Sequence, residues 1–246
     1  MRTTLLATTV VSAVSFAAMD VAVANAAGGF HAGVFVAYAQ SGDATSISGA
    51  NPATQAFIDG GNVASLIPVD GSAFGGGVQA GYDWPLGDKA FIGVEASVAY
   101  LGMDETSSLP GPTDASRIMT ANVQQDYLAT ALVRVGYMIS DKVDLHVAGG
   151  FAFGDTEMTT ALTRTPSCAG NNCQQGSTSD TSTGWALGAG AEFALSPTMG
   201  LRIDYLHYDL GEQSHLMTDP AFPAFVFSAS SDFSGDIIQA GISWRF

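Results

Sequence analysis

Apolar residues alternate with small or polar residues along eight stretches of this chain, which is the period-2 pattern of strands that bury one face. In one stretch Tyr127, Val133 and Tyr137 share a face, while Arg134 and Gly136 occupy the opposite one. The pattern therefore predicts an all-β chain. Its eight predicted strands cover residues 30–38, 74–84, 92–100, 127–137, 143–153, 185–195, 201–205 and 238–246.

The connections between the predicted strands are of two kinds that alternate along the chain. Short ones span residues 85–89, 140–142 and 196–200, and long ones span residues 41–72, 103–122, 156–183 and 211–232. Tight turns at one rim and long loops at the other are typical of a transmembrane β-barrel, whose closed ring leaves no edge strand in lipid. We therefore predict an eight-stranded antiparallel up-and-down transmembrane β-barrel over residues 27–246. An exported soluble β-sandwich is the alternative.

One face of the predicted strands is bulky throughout, and the other collects glycine and charge. The bulky face carries aromatic residues at both ends, as interfacial girdles do: Tyr82, Trp84, Tyr137 and Trp244 at one rim, and Tyr38, Tyr100, Tyr127 and Trp185 at the other. Eight strands leave an interior just wide enough for side chains to fill. The candidate polar network in this lumen consists of Glu95, Arg134, Asp144, His146, Glu192, Arg202, Asp204 and Arg245.

The arginines of this predicted network should pair with its carboxylates, because an unpaired charge in a low-dielectric lumen costs several kcal/mol. Two interpretations remain open. The network is either a closed polar plug that holds the barrel together or the lining of a gated pathway for ions or small solutes.

Composition narrows the class of protein further. Only 13% of the 246 residues are charged, about half the roughly 25% of an average soluble domain. Beyond residue 25 no apolar run approaches the roughly 20 residues of a transmembrane helix. The net charge of -15 argues against nucleic acid, since binding phosphates requires clustered lysine and arginine.

The first 26 residues read as a cleaved signal peptide. Arg2 precedes a short apolar core, and the segment ends on the small-x-small sequence Ala24-Asn25-Ala26. Export places the chain in an oxidising compartment, where Cys168 and Cys173 are expected to form a local disulfide rather than a metal site.

Three segments carry a resemblance to a known family: Gly81-Tyr82-Asp83-Trp84, residues 201–211, and the terminal Gly241-Ile242-Ser243-Trp244-Arg245-Phe246. The chain resembles the Gram-negative small outer-membrane β-barrels, the OmpA-type and opacity-like proteins, and within them porin-family surface antigens that include hemin-binding members. The resemblance implies outer-membrane lipid as the surroundings, a periplasmic N-terminus and extracellular long loops. It also implies that the barrel assembly machinery reads Ile242, Trp244 and Phe246.

The expected function is a surface protein that contributes to envelope integrity and presents long acidic loops for adhesion to a host or surface ligand. A narrow porin for small solutes is the alternative, and heme binding at His215 and Met217 of the fourth loop is a lesser one. Phe222, Phe225 and Phe227 are a candidate loop contact. The alternative is that their segment is simply the top of the last strand or leans on neighbouring loops. No catalytic residues, resident metal or cofactor are predicted.

Overall fold

The structure, a computed structural model, describes residues 28–164 and 173–246 as eight strands and one helix. The predicted signal peptide and Cys168 lie outside this range. The elements are β1 (Gly29–Gly49), α1 (Pro52–Asp59), β2 (Leu66–Leu86), β3 (Ala90–Pro110), β4 (Arg117–Ser140), β5 (Val143–Arg164), β6 (Gln175–Ser196), β7 (Met199–Met217) and β8 (Phe227–Arg245).

The strands form a closed antiparallel ring in sequence order, which confirms the predicted topology. Each strand pairs with the next, and β1 also pairs with β8, so that Val34 lies between Val78 and Ile242. Among the described residues no helix is long and apolar enough to cross a membrane.

The strands are much longer than predicted, and this corrects the expectation of long loops. They contain 19 to 24 residues each, whereas a membrane-spanning strand needs about 9–11. Half or more of each predicted loop is therefore strand. The outer face of the extensions is rich in serine, threonine and aspartate. Its bulky residues, such as Leu66 and Leu216, are scattered and do not form the continuous apolar row of a lipid-facing strand.

The barrel has two parts, which we call the lower ring and the upper sandwich. In the lower ring, at the short-turn end, all eight strands pair with both neighbours. Higher up, the described residues show no pairing of β2 with β3 beyond Gly76 and Tyr100, and β6 pairs with β7 beyond Trp185 and Asp209 only through an isolated bridge. The extensions therefore form two four-stranded sheets, β7-β8-β1-β2 and β3-β4-β5-β6.

Glycine allows the strands to cross closely where the two sheets meet. A Cβ atom at Gly75 would overlap the carbonyl oxygen of Tyr100, and one at Gly184 would overlap that of Asp209. A larger residue at either position would force the two backbones apart, so these glycines keep the corners of the sandwich closed.

The upper sandwich is filled with apolar side chains and capped by α1. Its fully buried residues include Ile67, Met119, Met158, Leu162, Met217 and Phe227. Asn51 caps the helix by accepting a hydrogen bond from the Thr54 backbone N–H at 3.0 Å. Ile58 of α1 is buried in the same core, which closes the top of the molecule.

Candidate functional site in the barrel interior

The predicted polar network lies in the lower ring, and all eight of its residues point inward. Seven are buried, and Arg245, at the mouth, keeps 21% of its side-chain surface exposed. The residues come from β3 to β8, where strict alternation sends every second side chain into the lumen. Neighbouring strands place some of them side by side, as Glu192 and Arg202 are register partners.

Glu95 is the centre of the network. Its carboxylate accepts a hydrogen bond from Arg134 Nη1 at 2.9 Å and from both terminal nitrogens of Arg202, one of them at 3.0 Å. His31 Nε2 lies 3.1 Å from the same group. Two guanidinium groups around one carboxylate leave a net positive charge, which the carboxylates of Asp83, 3.7 Å from Arg134 Nε, and Asp204 offset.

A second chain of contacts continues from Asp204 toward the mouth of the barrel. Asp204 pairs with Arg202 Nε at 2.7 Å and with His146 Nε2 at 2.8 Å. His146 Nδ1 lies 3.5 Å from Asp144. Arg245 Nη2 then bridges Asp144 at 3.1 Å and Glu192 at 2.9 Å. The ion pairs therefore cross the whole lumen.

Two members of this layer were not in the predicted network, although alternation placed them inward: His31 and Asp83, which contact each other at 3.4 Å. Two further contacts were missed. Ser243 donates a hydrogen bond to Glu192 at 2.9 Å, and the Arg134 guanidinium lies 5.2 Å from the centre of the Phe91 ring. The alternation along β3 and β8 places Phe91 and Ser243 on the inward face, and this signal could have predicted both contacts.

Inward glycines make room for the charged side chains. A Cβ atom at Gly93 would overlap the Asp83 carboxylate, and one at Gly190 would overlap that of Asp204. The glycine-rich inner face is therefore a packing requirement of the ionic layer.

An apolar layer closes the lumen above the ion pairs. Phe35, Leu132 and Leu206 are each 7% exposed and face inward over the network. Leu206 thus belongs to this apolar layer. Tyr208 is fully buried above it and donates a hydrogen bond to Gln125 at 3.0 Å.

Part of the predicted phenylalanine contact is wrong. Phe227 begins β8 and is fully buried, so it packs in the sandwich core rather than facing a partner. Phe225 lies 5.9 Å from the Phe57 ring of α1, and Phe222 is half-buried. The segment leans on the helix cap, which is the alternative that the sequence had left open.

The proposed heme ligands also lie in a strand rather than in a loop. His215 and Met217 belong to β7 and point into the sandwich. His215 Nε2 is 2.7 Å from the Thr160 hydroxyl, and Met217 is fully buried. Neither side chain is presented to a surface ligand, so heme binding at these residues has no geometric basis. Among the described residues, no group of three or more His, Cys, Asp or Glu could hold a metal ion.

The assembly signal and the disulfide stay predictions. Ile242, Trp244 and Phe246 lie on the outward face at the end of β8, with the Phe246 ring 5.8 Å from that of Phe30. Cys173 precedes β6, but Cys168 lies outside the described residues.

Comparison with known proteins identifies the family. Residues 4–246 match the outer membrane protein beta-barrel domain. The chain belongs to this outer-membrane β-barrel family. It is 27% identical over 188 residues to the 31 kDa outer-membrane immunogenic proteins of Brucella melitensis and Brucella suis, an alignment that covers 76% of this chain and 72% of each relative.

A solved member of the small outer-membrane barrels has the same architecture. The outer membrane protein OprG from Pseudomonas aeruginosa aligns with a TM-score of 0.54 and 14% identity over 91% of this chain and 98% of its own. That likeness supports the fold alone. As an outer-membrane β-barrel, the chain sits in membrane lipid through the apolar outer face of its lower ring, where Val36, Val98 and Val147 are more than half exposed.

Proposed function

We propose that this protein is a closed outer-membrane barrel that anchors a rigid, acidic surface domain and strengthens the envelope. The lower ring spans the membrane with the N-terminus and short turns in the periplasm. The upper sandwich stands outside the cell. The residues before 27 serve as a cleaved signal peptide, and the barrel assembly machinery recognises the last strand.

The observation that carries this proposal is the double closure of the lumen. The ionic layer around Glu95 and Arg134 fills the ring, and Arg134 is only 1% exposed. The apolar core above it contains side chains with no exposed surface, such as Met119 and Met158. A conducting pathway would need water through both layers, so the structure favours the plug over the narrow porin.

A planar-bilayer experiment tests the closure. Refolded protein, with insertion verified by heat-modifiable gel mobility, is expected to give no steady conductance steps. A variant in which residues 50–65 are replaced by a Gly-Ser linker removes α1 and is expected to stay silent as well, because both layers remain. Reproducible steps from the wild type would overturn the proposal and favour the porin.

Labelling of intact cells tests the orientation. An epitope inserted between β3 and β4, at residues 111–116, is expected to bind antibody on intact cells. The matched epitope in the turn between β4 and β5, at residues 141–142, is expected to bind only after the outer membrane is permeabilised. The opposite result would reverse the assigned topology.

The exposed face of the upper sandwich supports a role in interaction with basic partners. Its exposed carboxylates include Asp59, Asp104, Glu157, Asp180, Glu212 and Asp232. The described cations there are Arg117, which pairs with Asp114, and Arg164. A surface of one sign attracts partners of the other.

Cell adhesion tests that interaction. Cells that display a Glu157→Gln, Asp180→Asn, Glu212→Gln triple variant should adhere less to a polylysine-coated surface than cells that display the wild type, at equal surface expression. Equal adhesion would count against an adhesive role of the carboxylates.

A further inference from the structure

The wall of the barrel contains an opening between β1 and β8. Pairing of the two strands stops after Gln40 and Asp236 and resumes at Ser46 and Ser230. The register is the same on both sides, so five positions on each strand face each other without forming ladder pairs. The opening is therefore a local separation of two strands that are joined above and below it.

An irregularity in the neighbouring strand lies beside the opening. β7 carries an irregularity between Asp209 and Glu212, where Gly211 adopts a φ of +81°. A bulge of this kind bends and twists the strand that pairs with it. β8 stays paired with β7 on the far side of the opening, at Gln213 and Ser231, and therefore follows β7 away from β1.

The opening leads into a cleft of about 590 Å³, within the 300–1,000 Å³ of typical small-molecule sites. The cleft lies at the boundary between ring and sandwich, just above the rings of Tyr38 and Phe74, whose centres are 4.9 Å apart. Its polar lining includes Gln40, Asp70, Ser72, Glu105, His207 and Asp236. No lysine or arginine lines it among the described residues.

One rim of the cleft is already fixed by hydrogen bonds. Asp236 accepts a hydrogen bond from the Tyr205 hydroxyl at 2.5 Å, and His207 Nδ1 lies 2.9 Å from the same carboxylate oxygen. The His207 ring packs at 5.3 Å from that of Trp185. A ligand that enters the cleft therefore meets a preorganised carboxylate.

Glu105 is the carboxylate at the inner end of the cleft. It points inward from β3 over Gly71, where an added Cβ atom would lie 2.7 Å from Glu105 Cγ. The structure shows no hydrogen bond or ion pair to its carboxylate from any described residue. A partly buried charge without a partner is unfavourable, so this group favours a cation from outside.

A buried amide lies behind Glu105. Gln125 is 3% exposed and lines the same small cavity as Glu105, Met103 and Phe233. Its Nε2 has no hydrogen-bond partner among the described residues. A buried donor without a partner costs about 1–3 kcal/mol, so this cavity of about 20 Å³, which adjoins the cleft at Ser41 and Glu105, favours a small hydrogen-bond acceptor.

We propose that this cleft binds a small polyhydroxylated amine of the amino-sugar class. Its ammonium group pairs with Glu105, and its hydroxyls exchange hydrogen bonds with the serine and glutamine side chains of the lining, such as Ser72 and Gln40. The ligand comes from the aqueous phase, since three carboxylates repel the phosphates of a lipid headgroup. A bare divalent cation fits less well, because the described residues form no metal-binding group.

Calorimetric titration in nanodiscs tests this proposal with the β-1,4-linked glucosamine disaccharide as the probe. The wild type is expected to bind one disaccharide per barrel. Glu105→Gln is expected to weaken binding by at least about tenfold, the usual effect of losing a hydrogen bond to a charged group. The matched control Asp88→Asn removes an exposed carboxylate from the short turn between β2 and β3, away from the cleft, and is expected to bind like the wild type.

Three further ligands separate the contributions. The di-N-acetylated disaccharide keeps the hydroxyls but loses both charges, and it is expected not to bind. Spermidine keeps the charges without hydroxyls and is expected to bind more weakly than the disaccharide, and calcium chloride is expected to give no saturable signal. The proposal would be overturned if Glu105→Gln bound the disaccharide as tightly as the wild type does. It would also be overturned if the wild type bound the neutral disaccharide equally well, or bound spermidine or calcium more tightly than the charged disaccharide.

A steric variant makes the location falsifiable independently of charge. Ser72→Trp places an indole on the outer lip of the cleft without changing any carboxylate. It is expected to reduce disaccharide binding about tenfold or more while heat-modifiable mobility stays unchanged. Undiminished binding would place the ligand elsewhere.

Discussion

The lower ring and the upper sandwich are built from the same eight strands, but the inner and outer faces of these strands have opposite polarity in the two parts. In the ring the outer face is apolar, as at Val98 and Val147, and the lumen holds charges such as Glu95 and Arg202. In the sandwich the outer face carries serine, threonine and acids, and the interior holds residues such as Met158 and Phe227. One continuous strand thus changes the polarity of both its faces partway along.

This difference shows how the solvent decides the pattern. Lipid removes the advantage of burying apolar side chains inside, because the tails are as apolar as the side chains themselves. The ring therefore relies on ion pairs and backbone hydrogen bonds. The sandwich has a polar outer face, as expected of a part surrounded by water, where burial of apolar surface is the dominant stabilising effect. It packs like an ordinary soluble domain.

The largest expected effect is on the ionic layer. Glu95→Leu leaves Arg134 and Arg202 buried without their central partner, and breaking a buried pair in this way costs about 3–5 kcal/mol. Urea unfolding in micelles, read by heat-modifiable mobility, measures the loss of stability. The triple variant Glu95→Leu, Arg134→Met, Arg202→Met should recover much of that loss, because no unpaired charge remains in the layer. No recovery would show that the layer is stabilised by something other than charge pairing.

The apolar core of the sandwich comes next. Met158→Ala removes a fully buried side chain and is expected to cost about 2–5 kcal/mol. The loss should appear as faster hydrogen exchange and proteolysis of the sandwich while the ring stays protected. The adjacent, exposed Thr159→Ala serves as control with no comparable effect. Equal opening of the ring would mean that the two parts unfold as one unit.

A matched pair of arginines tests the change of the outer face along a single strand. Val147→Arg puts a charge on the lipid face of β5 and is expected to cost about 2–4 kcal/mol. Thr159→Arg puts the same charge on the outer face of the same strand in the sandwich, where a surface change stays within about 0.5 kcal/mol. Similar costs at both positions would contradict the assigned membrane boundary.

The smallest expected effect is a pH dependence confined to the sandwich. Burial lowers the pKa of His215 below its usual 6.5, so the unfolded chain takes up the proton first. The contribution of His215 is complete above pH 6.5 and declines as the pH falls below that value. Proteolysis of the sandwich should therefore quicken between pH 7.5 and pH 5.5. His215→Gln, which keeps a polar partner for Thr160, should flatten that response.

The sequence predicted the structure of the lower ring more completely than that of the upper sandwich. Alternation and the two aromatic girdles predicted eight strands, their order and the inward direction of Glu95, Arg134 and Arg202. The extensions were read as loops, because a strand with a polar outer face and inward residues such as Met119 and Thr160 lacks the bulky lipid-facing row. Phe227 was misjudged for the same reason, since a buried core above the membrane was not expected.

Some features of the candidate sites were likewise expected from the sequence, and others were not. Pairing of the lumen arginines with carboxylates was expected from the cost of an isolated buried charge, without any coordinates. The central role of Glu95 was not expected from the sequence, because it depends on β3, β4 and β7 placing three side chains at the same height in the barrel. The wall opening and the unpaired Glu105 left no signal in the sequence, since both depend on how strands distant in the chain are placed beside one another.

By itself the sequence determined the class of fold, the outer-membrane family, and which residues face into the ring, because alternation and composition are local properties of the chain. The tertiary structure decided that the strands continue beyond the membrane as two packed sheets, that the lumen is closed twice, and that one carboxylate in the wall lacks a partner. These properties depend on the register between strands distant in sequence, and a pattern of single residues does not specify where two strands separate.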